Sequence, residues 1–163
     1  MTRHDAPGAE LLARWQAFRR FPGGAWLFNQ LLARMVPYTG ALGARLTTLA
    51  PGAATVVLRD RRGVRNHLRS VHAVALANMA EFVSGTAMLT ALPARTRGIV
   101  VRLEIDYLKK ARGTMTGRAR INVPPILGPC ELYPEAEIFD ESGDVVARAR
   151  VTWKVEPLGA TPA

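Results

Sequence analysis

One acidic residue, Glu81, stands by itself in the stretch AVALANMAEFVSGTAMLTAL (residues 73–92), which is apolar on almost every helical face. A carboxylate set among Met79, Ala80, Phe82 and Val83 is costly to desolvate, and burial raises its pKa. That environment suits a general base. It equally suits a structural carboxylate paired with an arginine at a loop or subunit contact. Upstream, His72 directly precedes the stretch and Asn66 lies six residues before it. A helix that starts here exposes unpaired N–H groups and a partial positive charge, so the backbone at residues 72–74 can hold an oxyanion. Asn66 and His72 can then orient a carbonyl or a water. They can also anchor the loop, with Ser70 as the helix N-cap.

These residues need elements to carry them. Residues 9–20 space Leu11, Leu12, Trp15 and Phe18 for a helix, and residues 25–36 repeat the pattern. Pro22-Gly23-Gly24 separates the two helices, and Pro37 is expected to stop the second. From Gly40 the texture alternates, and Pro51-Gly52 predicts a hairpin leading into a basic loop at 59–71. The apolar stretch at 73–92 follows, closed by Pro93. Four alternating patterns then run to the end: 98–111, 114–123, 132–143 and 144–157. Antiparallel strands around one enclosed helix make an α+β fold. The stretch at 73–92 has the length of a bilayer span, but Glu81 at its middle and the amphipathic strands after it argue against one.

Composition bounds the rest. The chain has 163 residues, 48% hydrophobic, enough for one domain with a real core. A single cysteine, Cys130, excludes an intrachain disulfide framework and a cysteine-cluster zinc site, and it reads as structural. The first 21 residues hold no apolar segment of the signal-peptide kind, so a cytoplasmic protein is expected. The formal charge of +9 is lopsided, because residues 1–80 carry 11 Arg against Asp5, Glu10 and Asp60. A basic half suits nucleic acid, anionic lipid or a phosphorylated ligand, and an arginine-rich coding bias produces it too.

The spacing Asn66-x5-His72-x8-Glu81 entering an apolar helix, followed by the strand GIVVRLEIDYLKKA, resembles the hotdog-fold acyl-CoA thioesterases of the phenylacetic-acid (PaaI-like) type. The resemblance covers roughly residues 40–156. It implies a six-stranded antiparallel sheet wrapped around the central helix, with the two N-terminal helices as an extension: residues 1–38 the extension, 39–157 the hotdog domain and 158–163 a flexible tail. It also implies a homodimer, or a dimer of dimers, whose active sites form across the interface. By position Glu81 corresponds to the family's base or nucleophile, His72 and Asn66 to the residues that hold water or substrate, and Ala73 to the oxyanion-hole N–H. In place of the family's HGG the chain has His72-Ala73-Val74, whose side chains narrow the acyl group's approach.

The resemblance gives the basic residues a ligand, an acyl-CoA or other acyl thioester. Arg61, Arg62, Arg65 and Arg69, with Lys109, Lys110 and Arg112, are candidates for the phosphates of coenzyme A. No metal and no cofactor beyond the coenzyme A of the substrate are expected, and no membrane partner. A non-catalytic acyl-CoA or fatty-acyl binding module is one alternative. A basic nucleic-acid-binding or regulatory protein on the same fold is another, disfavoured because no aromatics are interleaved with the arginines. Tyr107 and Trp153 read as sheet packing.

Overall fold

The computed structural model describes residues 6–158. Two amphipathic helices open the chain, α1 (Pro7–Phe18) and α2 (Gly24–Met35). They lock together through buried Trp15 and Phe28, whose rings meet edge to face at 5.1 Å. Pro37 stops α2 as expected, with Val36 outside the helical region before it, but no strand follows. It opens a third helix, α3 (Pro37–Leu42), as its first residue, where the missing N–H costs nothing and the fixed φ is already helical. Gly43, at φ +74°, ends it. The strand expected from Gly40 therefore begins later, as β1 (Arg45–Ala50), which pairs with β2 (Ala53–Leu58) across the predicted Pro51-Gly52 turn.

The apolar stretch forms α4 (Ala73–Ala91). The remaining strands are β3 (Thr96–Tyr107), β4 (Met115–Arg120), β5 (Cys130–Leu132), β6 (Glu135–Phe139) and β7 (Val145–Pro157). All pair antiparallel in the order β1-β2-β4-β6-β7-β3. The sheet is six positions wide, as expected, but holds seven strands. β5 and β6 follow one another along the same edge of β7 and are broken at Tyr133-Pro134, where proline cannot donate to a ladder.

The sheet curls around α4, burying Leu76, Met79, Ala80, Val83, Ala87 and Met88 against it. α4 is long and apolar enough to cross a bilayer, yet most of it is enclosed by the sheet. At its far end the Thr90 hydroxyl accepts from Gly52 N–H at 3.1 Å and donates to Ala50 O at 3.1 Å, fixing the β1–β2 turn to the helix. This is the hotdog arrangement. β3 forms one border of the sheet, bulged at Val101, with Ile99 and Val101 exposed on it. The tail expected at 158–163 falls, apart from Leu158, outside the described residues.

Candidate active site

Glu81 lies on the side of α4 that faces β7. The opposite side, Met79 and Val83, packs on β4, where a Cβ built at Gly117 would stand 3.1 Å from Met79 Cε. One turn beyond Glu81, Gly85 receives the Trp153 ring. A Cβ at Gly85 would fall 2.8 Å from Trp153 Cζ2 and 3.8 Å from Glu81 Oε1, so glycine there lets indole and carboxylate approach the same point. The other edge of the indole, Cε3, rests against Gly98 of β3. Glu81 is half-buried and has no ion pair or side-chain hydrogen bond among the described residues. Burial alone pushes its pKa up. The Trp153 Nε1 donor beside it is buried and also without a partner.

The other predicted residues gather at the start of α4. His72, not Ser70, is the N-cap: its Nδ1 accepts from Val74 N–H at 3.1 Å, which leaves the proton on the exposed Nε2. Ser70 is held elsewhere. Asn66 Oδ1 accepts from Leu68 N–H at 2.9 Å, Ser70 N–H at 3.2 Å and the Ser70 hydroxyl at 3.1 Å. Leu76 and Ala75 donate to His72 O, so in the first turn the Ala73 N–H is the donor that no acceptor of the described chain takes. Its carbonyl accepts from the Tyr107 hydroxyl at 3.0 Å, which ties the end of β3 to the helix start. A groove of about 290 Å³ opens here, bordered by Tyr38 and Leu42 of the α3 region, His72, Val74 and Asn78. The Asn78 amide donates to Thr39 Oγ1 at 3.4 Å, and its buried Oδ1 has no partner.

Within one chain these two groups do not meet. Eight residues of helix separate Ala73 from Glu81, about 12 Å along the axis.

The seven basic candidates divide. Arg61 donates to Ala41 O and Leu42 O, at 2.9 and 3.0 Å, closing the end of α3. Arg65 grips Asp60, whose carboxyl it holds below the usual range. Lys109 is held by Asp140 and Asp144. Arg62, Arg69, Lys110 and Arg112 are exposed with no acidic partner among the described residues. The two basic segments lie side by side, since Val71 N–H donates to Ala111 O at 2.8 Å and Gly113 N–H to Asp60 at 3.2 Å. Among the described residues no cluster of three or more His, Cys, Asp or Glu side chains is placed to hold a metal.

Two contributors escaped the sequence reading. Tyr107 and Trp153 read as sheet residues, and alternation along a strand carries no sign that one reaches the helix start and the other the carboxylate. The only signal was Gly85, a glycine inside a strong helix, which marks a close approach.

Over residues 24–155 the sequence matches a family described as Domain of unknown function (DUF4442). No curated protein matches it significantly. The crystal structure of genomics APC5556 aligns at 28% identity with a TM-score of 0.79, covering 91% of this chain and 99% of that one. A Pseudomonas aeruginosa protein of unknown function, described as a probable thioesterase, aligns at 26% identity and 0.72 over 84% of this chain and 97% of its own. A thioesterase from Haemophilus influenzae shares the fold at 15% identity and 0.68, over 81% and 92%.

Proposed function

The chain belongs to the DUF4442 family, and from that premise and the surroundings of Glu81 we propose that it hydrolyses an acyl thioester of coenzyme A. The observation that carries the reading is the half-buried carboxylate on the core helix, without a side-chain partner among the described residues. Thioesterase descriptions on structures of the same fold support it. Glu81 takes a proton from water, the water oxygen attacks the thioester carbonyl carbon, and the C–S bond breaks as the proton passes to the departing thiolate. The water is held by Glu81, which accepts from it, and Trp153 Nε1, enclosed in the free chain, donates to it once the ring shifts to admit the substrate. The developing oxyanion accepts from Ala73 N–H, with His72 Nε2–H and the free amide nitrogen of Asn66 turned toward the substrate.

Because Ala73 and Glu81 of one chain stand too far apart, the complete site takes its oxyanion end from one protomer and its carboxylate from another. β3 is the edge through which a homodimer forms: open, 12 residues long and apolar at Ile99 and Val101. Antiparallel pairing of two β3 strands brings the Tyr107 end of one, beside Ala73, toward the Gly98 end of the other, beside Trp153. Arg62, Arg69, Lys110 and Arg112 then face the coenzyme A phosphates.

The test is free-thiol release from short, long and aromatic acyl-CoAs. Wild type is expected to turn over at least one of them, and Glu81→Gln to lose about 10²–10⁴-fold of that rate. Equal, negligible release from both proteins, with acyl-CoA still bound, would leave a binding module in place of an enzyme.

A further inference from the structure

Apolar side chains exposed on the hotdog domain concentrate along β3 and the start of α4, where the proposed dimer covers them. A second group has no such cover. Phe21, Trp26, Leu27, Leu31, Met35 and Tyr38 are all exposed, Trp26 by 57%, Met35 by 68% and Tyr38 by 69%. On α2, Leu27, Leu31 and Met35 recur every fourth residue with Trp26 beside the first, and so form one outward face with Arg34 set into it. The helix is not free to turn this face inward. Phe28 is locked against Trp15 on its other side, and the Asn29 amide is pinned to β1, accepting from Leu46 N–H at 2.7 Å and donating to Leu46 O at 2.9 Å.

The charge around this face is mostly positive; Glu10, which borders the groove beside Leu31 and Met35, is paired with Arg14 at 3.7 Å. Between Glu10 and Asp60 the sequence contains no acid and six arginines. Arg19 lies over the Trp15 ring, while Arg20 and Arg34 have no acidic partner among the described residues. A second copy docking the same face would set arginines against arginines. Most acids of the outer sheet surface are occupied, Glu135 by Arg150 at 2.7 Å, Glu137 by Arg148 at 3.0 Å and Glu104 by Arg102 at 2.9 Å, which among the described residues leaves Asp106 as a single exposed carboxylate there. A polyanion such as RNA would satisfy the arginines and leave the tryptophan, leucines and methionine in water. An anionic bilayer satisfies both, because aromatic and aliphatic side chains enter the boundary between headgroups and acyl chains while guanidinium groups meet lipid phosphates.

We propose that the outer face of α2 docks this protein peripherally on an anionic lipid bilayer, with Trp26, Leu27, Leu31 and Met35 inserted and Arg19, Arg20 and Arg34 against the phosphates. α4 stays in the core, so the contact is one of surface and not of span. It stands independently of the thioesterase reading.

The full chain is sedimented with phosphatidylcholine vesicles, with and without phosphatidylglycerol. Wild type is expected to partition onto the phosphatidylglycerol vesicles, with a blue shift of tryptophan emission, and weakly onto phosphatidylcholine alone. The surface variant Trp26→Ser/Leu31→Ser/Met35→Ser, with an unchanged circular dichroism spectrum, is expected to lose at least about tenfold in partitioning. Each of Arg19→Ala, Arg20→Ala and Arg34→Ala is expected to lose about fivefold. Three results would overturn the proposal: no vesicle binding by wild type, vesicle binding that survives the triple substitution, or a smaller oligomer on gel filtration of the triple variant, which would make the face a contact between copies.

Discussion

At the amino end of α4 the acceptors of Asn66 and His72 are occupied, and of the groove's side chains Asn78 keeps one buried oxygen without a partner among the described residues. Asn66 Oδ1 takes three donors and His72 Nδ1 caps the helix, so the carboxamide oxygen and the imidazole hold up the loop. Around Glu81 the opposite holds: among the described residues the carboxylate has no partner and the Trp153 Nε1 has none. A protein tolerates such unpartnered groups at a cost to stability, and they persist where function uses them. The difference divides labour between two places that a sequence reading treats as one constellation. In the proposed mechanism the helix start contributes geometry and a backbone donor, and the middle contributes the reactive group.

The strongest way to break that division is to separate the protomers. Val101→Asp places a charge on the β3 edge, and if the two places belong to different chains it abolishes thiol release as completely as loss of Glu81, with halved mass on gel filtration and a folded spectrum. Undiminished release by a monomeric Val101→Asp protein would show that one chain suffices.

Asn66→Ala tests the occupied side. It leaves Leu68 N–H, Ser70 N–H and the buried Ser70 hydroxyl without their acceptor, and unfolding free energy is expected to fall by about 2 kcal/mol. Asn66→Asp keeps an acceptor oxygen and should recover most of that in denaturant titration.

Trp153→Phe tests the unoccupied side, preserving the ring against Gly85 while deleting the N–H. Turnover is expected to drop about tenfold, the worth of one hydrogen bond. The acid limb of the rate–pH profile should also move to higher pH, because the ionised carboxylate loses a donor in its hydration. An unchanged profile would assign Trp153 to packing alone.

The smallest effect concerns stability and pH. Burial raises the folded-state pKa of Glu81 above its unfolded value, so between the two the folded chain binds more protons and its stability falls as pH rises. Glu81→Gln should therefore be more stable than wild type at neutral pH, with the gap closing as pH is lowered through the ordinary carboxylate range.

Much of the fold could be read from residue order. The alternation of β3, β4 and β7, the Pro51-Gly52 turn and the enclosed α4 each follow from local periodicity, and Glu81 drew attention because a charge interrupts an apolar run. Pro37 ends α2 as its type predicts, but it also begins α3, which the sequence reading missed because six residues carry too little periodicity to show the helix that Arg61 holds in place. The basic residues looked alike in sequence. Asp60, five residues before Arg65 in the same loop, and Asp140 and Asp144, brought in from the β6–β7 turn, are what separate Arg65 and Lys109 from Arg62, Arg69, Lys110 and Arg112.

The sequence by itself determined the α+β class, the core helix and the residue able to act as a base, since hydrophobic period and an isolated charge are properties of neighbours along the chain. Only the tertiary structure decided that Trp153 lies against Gly85 beside Glu81, that Tyr107 reaches Ala73, and that the apolar face of α2 points outward while that of α4 is enclosed. Those outcomes depend on which surfaces the curled sheet has room to cover. A strand's side-chain alternation says that a face is apolar, but strand order and register choose what meets it.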